Sequence, residues 1–489
     1  MNSQSSSPTA NGGRDDAVIT FAATTNIQTT PLDQGIQDTR WLLHPSAGKE
    51  SCCIFKVRQC LVEINKKTYQ PHIVSCGPYH YGDQHLEMIE QHKRRFVRDL
   101  LVPNGPTLDH YRQVVAAMEE EIRGYYSETI SLSSDVLVEM MVLDGLFTIQ
   151  LFCKLGNLSP SDPDDPIFNF KWVFANILRD LFRFENQIPF FLLQKLFDES
   201  KPSRKDSNSC LARLALDFFR YAVETPERVL NQDFTTVEPK HLLDLLRWSF
   251  IPKPYVHSPH EESRNVRPLV QLIKYAKKPL QGARKAMQKF VAGRKGNTSP
   301  SVEFIQSAKK LRQAGIKFKT REAVSFLEIR FCNGVLEIPH IVIDNLRTDL
   351  LMNFVAFEQC YSHCSKDVTS YAAFMSCLIR TPEDVSFLCD KKIVENYLGT
   401  DEEVVHFLKN LGKDVALNIG EGNLSKLFKD VNEYHRNMWH VRWEGLRFNY
   451  FGTPWSFLSA LAAVILLLLT AIQAFFAVYG YAHPPKPGN

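Results

Sequence analysis

The sequence predicts a mainly helical protein, with one large helical domain that carries a small β-hairpin or sheet, and one transmembrane helix near its carboxyl terminus. From Thr107 onward, apolar residues recur every three or four positions, which is the spacing of amphipathic helices. The stretch "SFLEIRFCNGVLEI" instead alternates along its length and contains Asn333-Gly334, which predicts a tight hairpin. The uncharged run from Trp455 to Tyr479 is long enough to cross a bilayer.

Composition divides the chain into four parts. Residues 1–50 are rich in Ser, Thr, Asn, Gln and Gly and predict a disordered tail. Residues 51–450 form the mainly helical domain, which a basic insertion interrupts at about 253–300. Residues 455–479 are the predicted transmembrane helix, and residues 480–489 form a short carboxyl-terminal tail.

The bulk composition is that of a large folded protein. A chain of 489 residues with 44% hydrophobic content can bury a sizeable core. Its net charge of +3 is too small to indicate a nucleic-acid partner, because a duplex-binding domain concentrates many more Lys and Arg residues on one face. Eleven cysteines are scattered through a chain whose first residues lack the apolar run of a signal peptide. We therefore expect reduced thiols in a cytosolic setting.

Two apolar stretches in the first half predict long helices. "LVEMMVLDGLFTIQLFCKL" is apolar nearly all round, as a central core helix would be, and "GNLSPSDPDDP" ends it. The three aspartates of that loop have no EF-hand glycine spacing, so we interpret Asp162, Asp164 and Asp165 as a solvated acidic loop and not as a calcium site. In "FKWVFANILRDLFRFENQIPFFLLQKLF", Pro189 predicts a kink or a new helix start.

The apolar run near the carboxyl terminus predicts an integral membrane protein with one span. A helix from Trp455 to Tyr479 would measure roughly 37 Å against about 30 Å of hydrocarbon. Positive residues accumulate on the cytosolic side of a span, and here three arginines precede the run and one lysine follows it: Arg436, Arg442, Arg447 and Lys486. We therefore expect the large domain in the cytosol, and we expect the membrane to be the plasma membrane.

The basic insertion has two interpretations. Between Arg264 and Lys295 there are ten Lys and Arg residues and no Asp or Glu. A loose apolar stripe suggests a basic amphipathic helix that lies on anionic lipid, whereas a charge run of this kind is more often a solvated surface, which is the interpretation we favour. The side chains that would contact lipid are Lys274, Lys277, Lys278, Arg284, Lys285 and Lys289.

The segment "YQPHIVSCGPYHYGDQH" raises the question of a metal site. It contains His72, Cys76, His80 and His85, and imidazole and thiolate groups are typical zinc ligands. Their spacing is irregular and includes no paired Cys-x-x-Cys or His-x-x-x-His clamp. The prolines and glycines of the segment favour an extended strand that turns sharply. We therefore favour a structural role over a metal site.

No other pattern predicts chemistry strongly. The common hydrolase, phosphate-loop and zinc-protease motifs are absent from the sequence, and "GEGNLS" departs from a dinucleotide loop at Ser425 and is interpreted as a turn. The cysteines and histidine of "EQCYSHC" would share a helical face without a second clamp nearby, and we interpret them as buried small side chains. For an enzyme, the most suggestive polar set is His80, Glu90, His92 and Lys93, although the charges of "LEMIEQHKRRF" favour a solvent-exposed helix face. We predict no catalytic, cofactor-binding or metal-binding residue and no enzymatic activity.

Several further motifs occur in order along the chain: "YQPHIVSCGPYHYG", "LEMIEQHKRR", "MMVLDGLFTIQLF", "ENQIPFFLLQKLF", "HLLDLLR", "SAKKLRQAGIKFK", "LEIRFCNGVLEIPHIVID", "FVAFEQCY", "VTSYAAFMSCLI" and "PWSFLSALAAVILLLLTAIQ". From about Ile54 to Tyr479 the chain thus resembles the plant family catalogued as domain of unknown function 247. It departs from the family pattern at Arg58, where proline is usual, and at Cys76, where an aliphatic residue is usual. The family is known chiefly as membrane-associated plant proteins without an established activity, and some relatives are implicated in grass self-incompatibility.

The resemblance implies a membrane-anchored recognition or signalling protein whose helical domain binds an unidentified protein partner. Two alternatives stay open: a membrane-tethered enzyme, and a peripheral lipid-binding protein that acts through the basic insertion. A deep pocket with converging polar groups would favour the enzyme, whereas an exposed apolar patch would favour the partner-binding protein. The sequons at Asn157, Asn297 and Asn423 would report the topology, because a cytosolic domain leaves them unmodified.

Overall fold

The computed structural model of the chain describes residues 43–63, 65–101, 105–160, 162–200, 210–223, 230, 238–251, 304–412, 423–436 and 454–482. The predicted tail up to residue 42 and the basic insertion at 253–300, with all six of its proposed lipid-binding side chains, lie outside these ranges.

The prediction of a mainly helical protein is confirmed for the described residues. The helices of the first half are α1 (Gln59–Val62), α2 (Glu87–Leu100), α3 (Leu108–Ala116), α4 (Glu119–Gly124), α5 (Ser134–Leu155), α6 (Pro166–Asn169), α7 (Lys171–Leu181), α8 (Phe190–Ser200), α9 (Leu211–Phe219) and α10 (Leu242–Phe250). Those of the second half are α11 (Ala308–Gln313), α12 (Asn345–Cys360), α13 (Asp367–Leu378), α14 (Pro382–Asp390), α15 (Asp401–Leu411), α16 (Ser425–Arg436) and α17 (Pro454–Ala482).

Helix α5 is the centre of the first half, as its all-round apolar sequence predicts. It packs against α2, α3, α8 and α9, and the side chains of Leu146, Ile149 and Leu151 are fully buried. The helix ends at Gly156, and the next residue, Asn157, adopts a positive φ of 57°, a conformation that Asn tolerates better than other non-glycine residues. A helix with no solvent-facing stripe can be stable only when neighbours surround it.

Pro189 marks a new helix start. Helix α7 ends at Leu181 and α8 begins at Phe190. Residues 182–189 form the connection between them and contain the polar sequence Glu185-Asn186-Gln187. The structure therefore selects the new start over the kink, and it places buried polar residues directly before the proline.

The predicted hairpin is confirmed. Strand β2 (Arg330–Cys332) pairs antiparallel with β3 (Val335–Pro339). The two turn residues between them have positive φ angles, 50° at Asn333 and 76° at Gly334, as a type I′ turn requires. A Cβ atom on Gly334 would lie 2.5 Å from the hydroxyl oxygen of Tyr434, so the packing of α16 also requires glycine here.

The strand boundary expected from the alternation is wrong at its start. Residues 326–329 form no strand, although they alternate in the sequence. The Ser325 hydroxyl donates to the carbonyl oxygen of Phe250 and accepts from the backbone N–H of Leu327 at 3.1 Å. Such side-chain bonds to nearby backbone compete with strand pairing.

Two further strand pairings occur among the described residues. Strand β1 (Lys317–Arg321) pairs parallel with β3, which gives a three-stranded sheet of order β1-β3-β2. Strand β4 (Ile341–Ile343) pairs parallel with β5 (Val394–Asn396) in a separate two-stranded sheet. Both parallel pairings join segments that are distant in the sequence, and local alternation therefore predicts neither of them.

Residues 43–50, which the composition assigns to the disordered tail, pack on the helical domain. The backbone N–H of His44 donates to the carbonyl oxygen of Ser127 at 2.8 Å, and the Ser46 hydroxyl donates to that of Gly124 at 2.7 Å. The folded unit therefore includes these residues.

Helix α17 contains the apolar run of the predicted span. Its described side chains are exposed and include eight Leu and Ile residues. Among the described residues, one helix is long and apolar enough to cross a membrane, and it is α5, with 78% of its apolar window buried inside the fold. The described apolar part of α17 is the shorter stretch Leu461–Ala474. The structure therefore does not establish the C-terminal span, which stays a prediction.

Candidate functional site

The segment that raised the question of a metal site lies against the connection between α7 and α8. One oxygen of the Asp180 carboxylate accepts the backbone N–H groups of His72, Ile73 and Val74 at 2.9, 2.8 and 3.1 Å. Asp180 is completely buried, and its second oxygen accepts from Arg183 Nε at 3.0 Å. Charge-assisted bonds of this kind are the stronger class of hydrogen bond, so Asp180 fixes the path of the segment.

Asn186 extends this contact toward the turn. Its side-chain oxygen accepts from the backbone N–H of Cys76 at 2.7 Å, and its Nδ2 donates to the carbonyl oxygens of Val74 and Asp180, both at 3.0 Å. One asparagine side chain thus bonds both a backbone N–H group and a backbone carbonyl group of the extended segment. Without a partner strand, these buried polar groups would otherwise lack hydrogen bonds.

Lys93 and Asp144 form a buried ion pair behind the turn. Lys93 Nζ lies 2.6 Å from Asp144 Oδ1, 2.6 Å from the carbonyl oxygen of Ser75 and 2.5 Å from Glu90 Oε1. The other Asp144 oxygen accepts from the backbone N–H of Gly77 at 2.9 Å. Burial penalises the ammonium group, but the carboxylates of Asp144 and Glu90 outweigh that penalty and raise the pKa of Lys93. Lys93 is therefore a fixed positive charge.

Gly77 requires glycine for two reasons. Its φ is 86°, and a Cβ atom would lie 2.6 Å from the carbonyl oxygen of Gln187. The Gly-Pro step therefore lets two chain segments approach more closely than any side chain would permit.

His80 lies between two carboxylates. Its Nε2 is 3.3 Å from Glu185 Oε2, and its Nδ1 is 3.3 Å from Asp83 Oδ2. Glu185 also accepts from the backbone N–H of Val57 at 2.7 Å. Burial opposes ionisation of Glu185, but the hydrogen bond from His80 and the positive charge of Lys56 hold the pKa of this carboxyl below its usual range. We call the buried set that binds residues 72–80 the signature hub: Lys93, Asp144, Asp180, Arg183, Glu185 and Asn186.

The four ligand-type side chains of this segment have separate partners. His72 lies beside Arg183, at 3.2 Å from Nη2 to the ring, and His85 Nε2 is 3.2 Å from the carbonyl oxygen of Pro71. Cys76 is buried, and burial raises the pKa of its thiol, which makes it a weaker metal ligand. Within the described ranges, no group of three His, Cys, Asp or Glu side chains is placed to hold a metal ion.

The four polar residues considered as an enzyme site do not form one cluster. Glu90 and Lys93 contact each other, whereas His92 contacts Arg95 at 3.3 Å and His80 contacts Glu185. The expectation of a solvent-exposed charged face on this helix is wrong for Lys93, which is 1% exposed. Its ammonium group is buried because Asp144 on the facing helix α5 compensates the charge.

The expectation of a solvated acidic loop is wrong for Asp165. This residue is fully buried, and its two oxygens lie 2.7 and 2.9 Å from the guanidinium nitrogens of Arg95. It also caps helix α6 by accepting from the backbone N–H of Ile167 at 3.0 Å. Asp162 and Asp164 are exposed, as expected.

A second buried hub connects three of the ordered motifs. Glu358 on α12 accepts from Arg247 Nε on α10 at 2.7 Å and from the backbone N–H groups of Val368 and Thr369 at 3.2 and 2.7 Å. Arg247 also donates to the carbonyl oxygen of Ser365 at 2.5 Å. Glu358 is completely buried. Nearby, Cys360 and Cys364 are half-buried, and burial raises the pKa of both thiols to about 11.

Sequence reasoning missed most charged members of the two hubs, although it singled out Lys93. Asp180, Arg183, Arg247 and Glu358 stand inside strongly apolar stretches. A charge among apolar residues on the inward face of a helix indicates a buried partner, and that signal was present. The partners themselves lie far away in the sequence, as Arg247 does from Glu358, and spacing does not reveal them.

An aromatic groove lies on the surface of the first half. It is a cavity of about 430 Å³ whose lining includes Phe152, Leu214, Phe218 and Tyr221. Phe174 joins the two rings at the rim, with ring centroids 5.6 Å from Phe218 and 5.4 Å from Tyr221. Tyr221 is 66% exposed. On α7 and just before it, Trp172 and Phe170 are also exposed, at 55% and 56%.

These features define a class: a mainly helical domain in which buried ion pairs organise the ordered motifs. The chain belongs to DUF247, a family of plant proteins of unknown function, whose pattern matches residues 54–469. It is 38% identical over 460 residues to the UPF0481 protein At3g47200 of Arabidopsis thaliana, covering 92% of this chain and 90% of the relative. It is 25% identical over 512 residues to the putative UPF0481 protein At3g02645 of the same plant, covering 90% and 95%. No solved structure matches the chain.

Proposed function

We propose that this protein is a membrane-anchored recognition component that α17 holds in the bilayer and that binds a protein partner through the aromatic groove. The exposed apolar surface of α17 carries the proposal: Leu466, Leu467 and Leu468 are 64%, 71% and 59% exposed. Water would penalise such a surface by roughly 25 cal/mol for each Å², whereas lipid would not. The whole helix extends over 29 residues, or roughly 43 Å, which exceeds the hydrocarbon thickness.

Alkaline carbonate extraction of native membranes tests the anchor. The full chain should remain in the membrane pellet, and a chain without residues 454–482 should move to the supernatant. A truncated chain that stays in the pellet without aggregating would contradict the single C-terminal anchor.

We place the large domain on the cytosolic side, because Arg436, Arg442 and Arg447 precede the helix. Among the sequons, Asn157 reports the topology most directly, since it is exposed just after the end of α5. The Asn423 amide instead donates to Asp367. We expect no glycosidase-sensitive mass shift in the native protein. A shift that disappears in Asn157→Gln would reverse the topology.

The aromatic groove supports protein recognition, because exposed Tyr and Trp side chains are enriched at the energetic centres of protein interfaces. Tyr221→Ala should lose the proximity-labelled partner set that the wild-type protein gives in its native tissue. Tyr397→Ala is the matched control, since Tyr397 is 63% exposed and lies outside the groove. If both variants lose the same partners, or neither does, the groove is not the recognition surface.

A further inference from the structure

A basic cleft lies in the second half, where helix α11, strand β1 and helix α14 meet. Its volume is about 840 Å³, which is within the usual range for small-molecule sites. Two acidic side chains, Glu383 and Asp390, also line it. Five basic side chains line it, which leaves the lining with a net charge of +3, and all five are exposed: Lys309, Arg312, Lys317, Lys319 and Lys391.

The positive charges of the cleft are not compensated by ion pairs. Elsewhere on the surface, arginines such as Arg112 and Arg123 lie 2.7 and 2.8 Å from carboxylate oxygens. In the part of the chain that the structure describes, none of the five basic side chains of the cleft has such a partner. A concave surface on which positive side chains outnumber negative ones focuses the electrostatic field and concentrates counter-ions. The cleft is therefore suited to an anion.

The two aromatic rings of the cleft already contact other side chains of its lining. The guanidinium carbon of Arg312 lies 5.0 Å from the ring centroid of Phe387, and Lys391 Nζ lies 5.9 Å from it. Phe318 packs edge-on against the same ring, with centroids 5.3 Å apart and an interplanar angle of 87°. Protein sites that bind nucleobases offer a ring face for stacking, and the lining residues provide no further ring. Charge, and not stacking, therefore selects the ligand.

The arrangement of the charges favours several phosphate groups over one. Lys309 and Arg312 belong to α11, Lys317 and Lys319 to β1, and Lys391 follows α14. Lysine ammonium groups bind phosphate as point charges without a fixed geometry. Cations on three separate elements around one cleft can each contact a different phosphate of the same molecule.

We propose that the basic cleft binds a multiply phosphorylated small molecule of the inositol polyphosphate class, either free or as the headgroup of a phosphoinositide. This site uses neither α17 nor the aromatic groove, so it goes beyond the recognition function proposed above. It also differs from the basic insertion at 253–300, because its lining residues lie between Lys309 and Lys391.

Isothermal titration of the full chain in phosphatidylcholine nanodiscs with inositol hexakisphosphate tests the site. The double variant Lys317→Gln/Lys391→Gln should bind about tenfold more weakly than the wild type, since two of the five positive charges of the cleft are removed. The matched control is Lys66→Gln/Lys67→Gln, which removes two exposed charges from a different part of the fold and should bind as the wild type does. Raising the salt concentration should weaken wild-type binding.

Three results would overturn the proposal. The first is that the wild type does not bind the probe. The second is that both double variants lose affinity equally. The third is that a single-stranded oligonucleotide displaces the probe from the cleft at equal charge concentration. Because the four lysines are exposed, unchanged thermal unfolding of both variants verifies that loss of binding is not loss of folding. Soluble dioctanoyl phosphatidylinositol 4,5-bisphosphate then distinguishes the two sources: tighter binding than inositol hexakisphosphate assigns the lipid headgroup, and weaker binding assigns the free ligand.

Discussion

Helices α5 and α17 are both long and apolar, yet they have opposite surroundings. In α5, Leu146 and Leu151 are completely buried among other helices, whereas in α17 Leu466 and Leu467 are 64% and 71% exposed. Length and hydropathy alone do not identify the exposed helix, since among the described residues the buried α5 is the one helix long and apolar enough to cross a membrane.

The charged residues of the two helices do separate them. Asp144 and Lys154 of α5 have partners on α2, because Asp144 Oδ1 lies 2.6 Å from Lys93 Nζ and Lys154 Nζ lies 3.2 Å from Asp99 Oδ2. Helix α17 contains no charged residue. A buried apolar helix with compensated charges belongs to a protein core, whereas for the uncharged helix with exposed leucines we propose an apolar solvent.

The ion pair between α5 and α2 gives the largest expected effect. Asp144→Ala leaves the Lys93 ammonium buried without its main partner, and we expect a loss of about 3–5 kcal/mol in the free energy of unfolding. Denaturant titration of the protein in detergent micelles measures it. Asp109→Ala is the control, because the Asp109 side chain is 80% exposed, and it should cost less than about 0.5 kcal/mol. Equal losses would show that the buried pair does not organise the core.

The same substitution on the two helices compares their surroundings directly. Leu151→Ala should reduce the free energy of unfolding by about 2–5 kcal/mol, because it leaves a cavity in a packed core. Leu467→Ala should change the stability of the large domain by less than about 0.5 kcal/mol. The comparison fails if Leu467→Ala destabilises the domain as strongly as Leu151→Ala, since α17 would then pack against it.

We expect the core to respond to pH through His241, whereas α17 contains no histidine that would titrate in the same range. Complete burial lowers the pKa of His241 from 6.5 to about 4. The unfolded chain therefore binds more protons than the folded chain between these values, so stability present above pH 6.5 is lost as the pH falls toward 4. The loss should reach about 3 kcal/mol.

His241→Asn should flatten this dependence, because Asn keeps the capping bond to the backbone N–H of Asp244 and does not titrate. Urea titrations at several pH values, on the full chain and on a chain without residues 454–482, should give the same slope. A slope that changes with the truncation would place titrating groups against α17.

The tight contact between α5 and α8 gives the smallest expected effect. A Cβ atom on Gly145 would lie 2.4 Å from Leu196 Cδ1, so Gly145→Ala should cost about 1–3 kcal/mol by overpacking. Gly124→Ala is the control, since the nearest atom would lie 3.8 Å away. Thermal unfolding compares the stabilities of the two variants. If the Gly145→Ala protein were as stable as the Gly124→Ala control, helices α5 and α8 would be free to move apart.

The sequence predicts those features that depend on local pattern. The core helix α5, the new start after Pro189 and the Asn333-Gly334 turn are all visible as spacing or as turn residues, and the structure contains them. The ordered motifs also indicate the family. The parallel pairings of β1 and β5 are not predicted, because their partners are set by tertiary contacts.

The hubs show the same limit for the site. His72, Cys76 and His80 are close together in the sequence, which suggests a common ligand. In the structure the segment is instead held by hydrogen bonds and ion pairs to Asp180, Glu185 and Asn186, which lie more than 100 positions away in the sequence. The charged neighbours of Lys93 predict a surface position, whereas its burial depends on partners that include Asp144 of α5. Whether a charged side chain can be buried thus depends on its partner, and the fold determines which residue that partner is.

Lipid-phase photolabelling tests the contrast between the two helices most directly. A membrane-soluble carbene precursor is activated in native membranes that contain the full chain, and modified peptides are mapped by mass spectrometry. We predict adducts within residues 454–482 and none within residues 134–155. Adducts on the internal helix, or their absence from the C-terminal one, would contradict it.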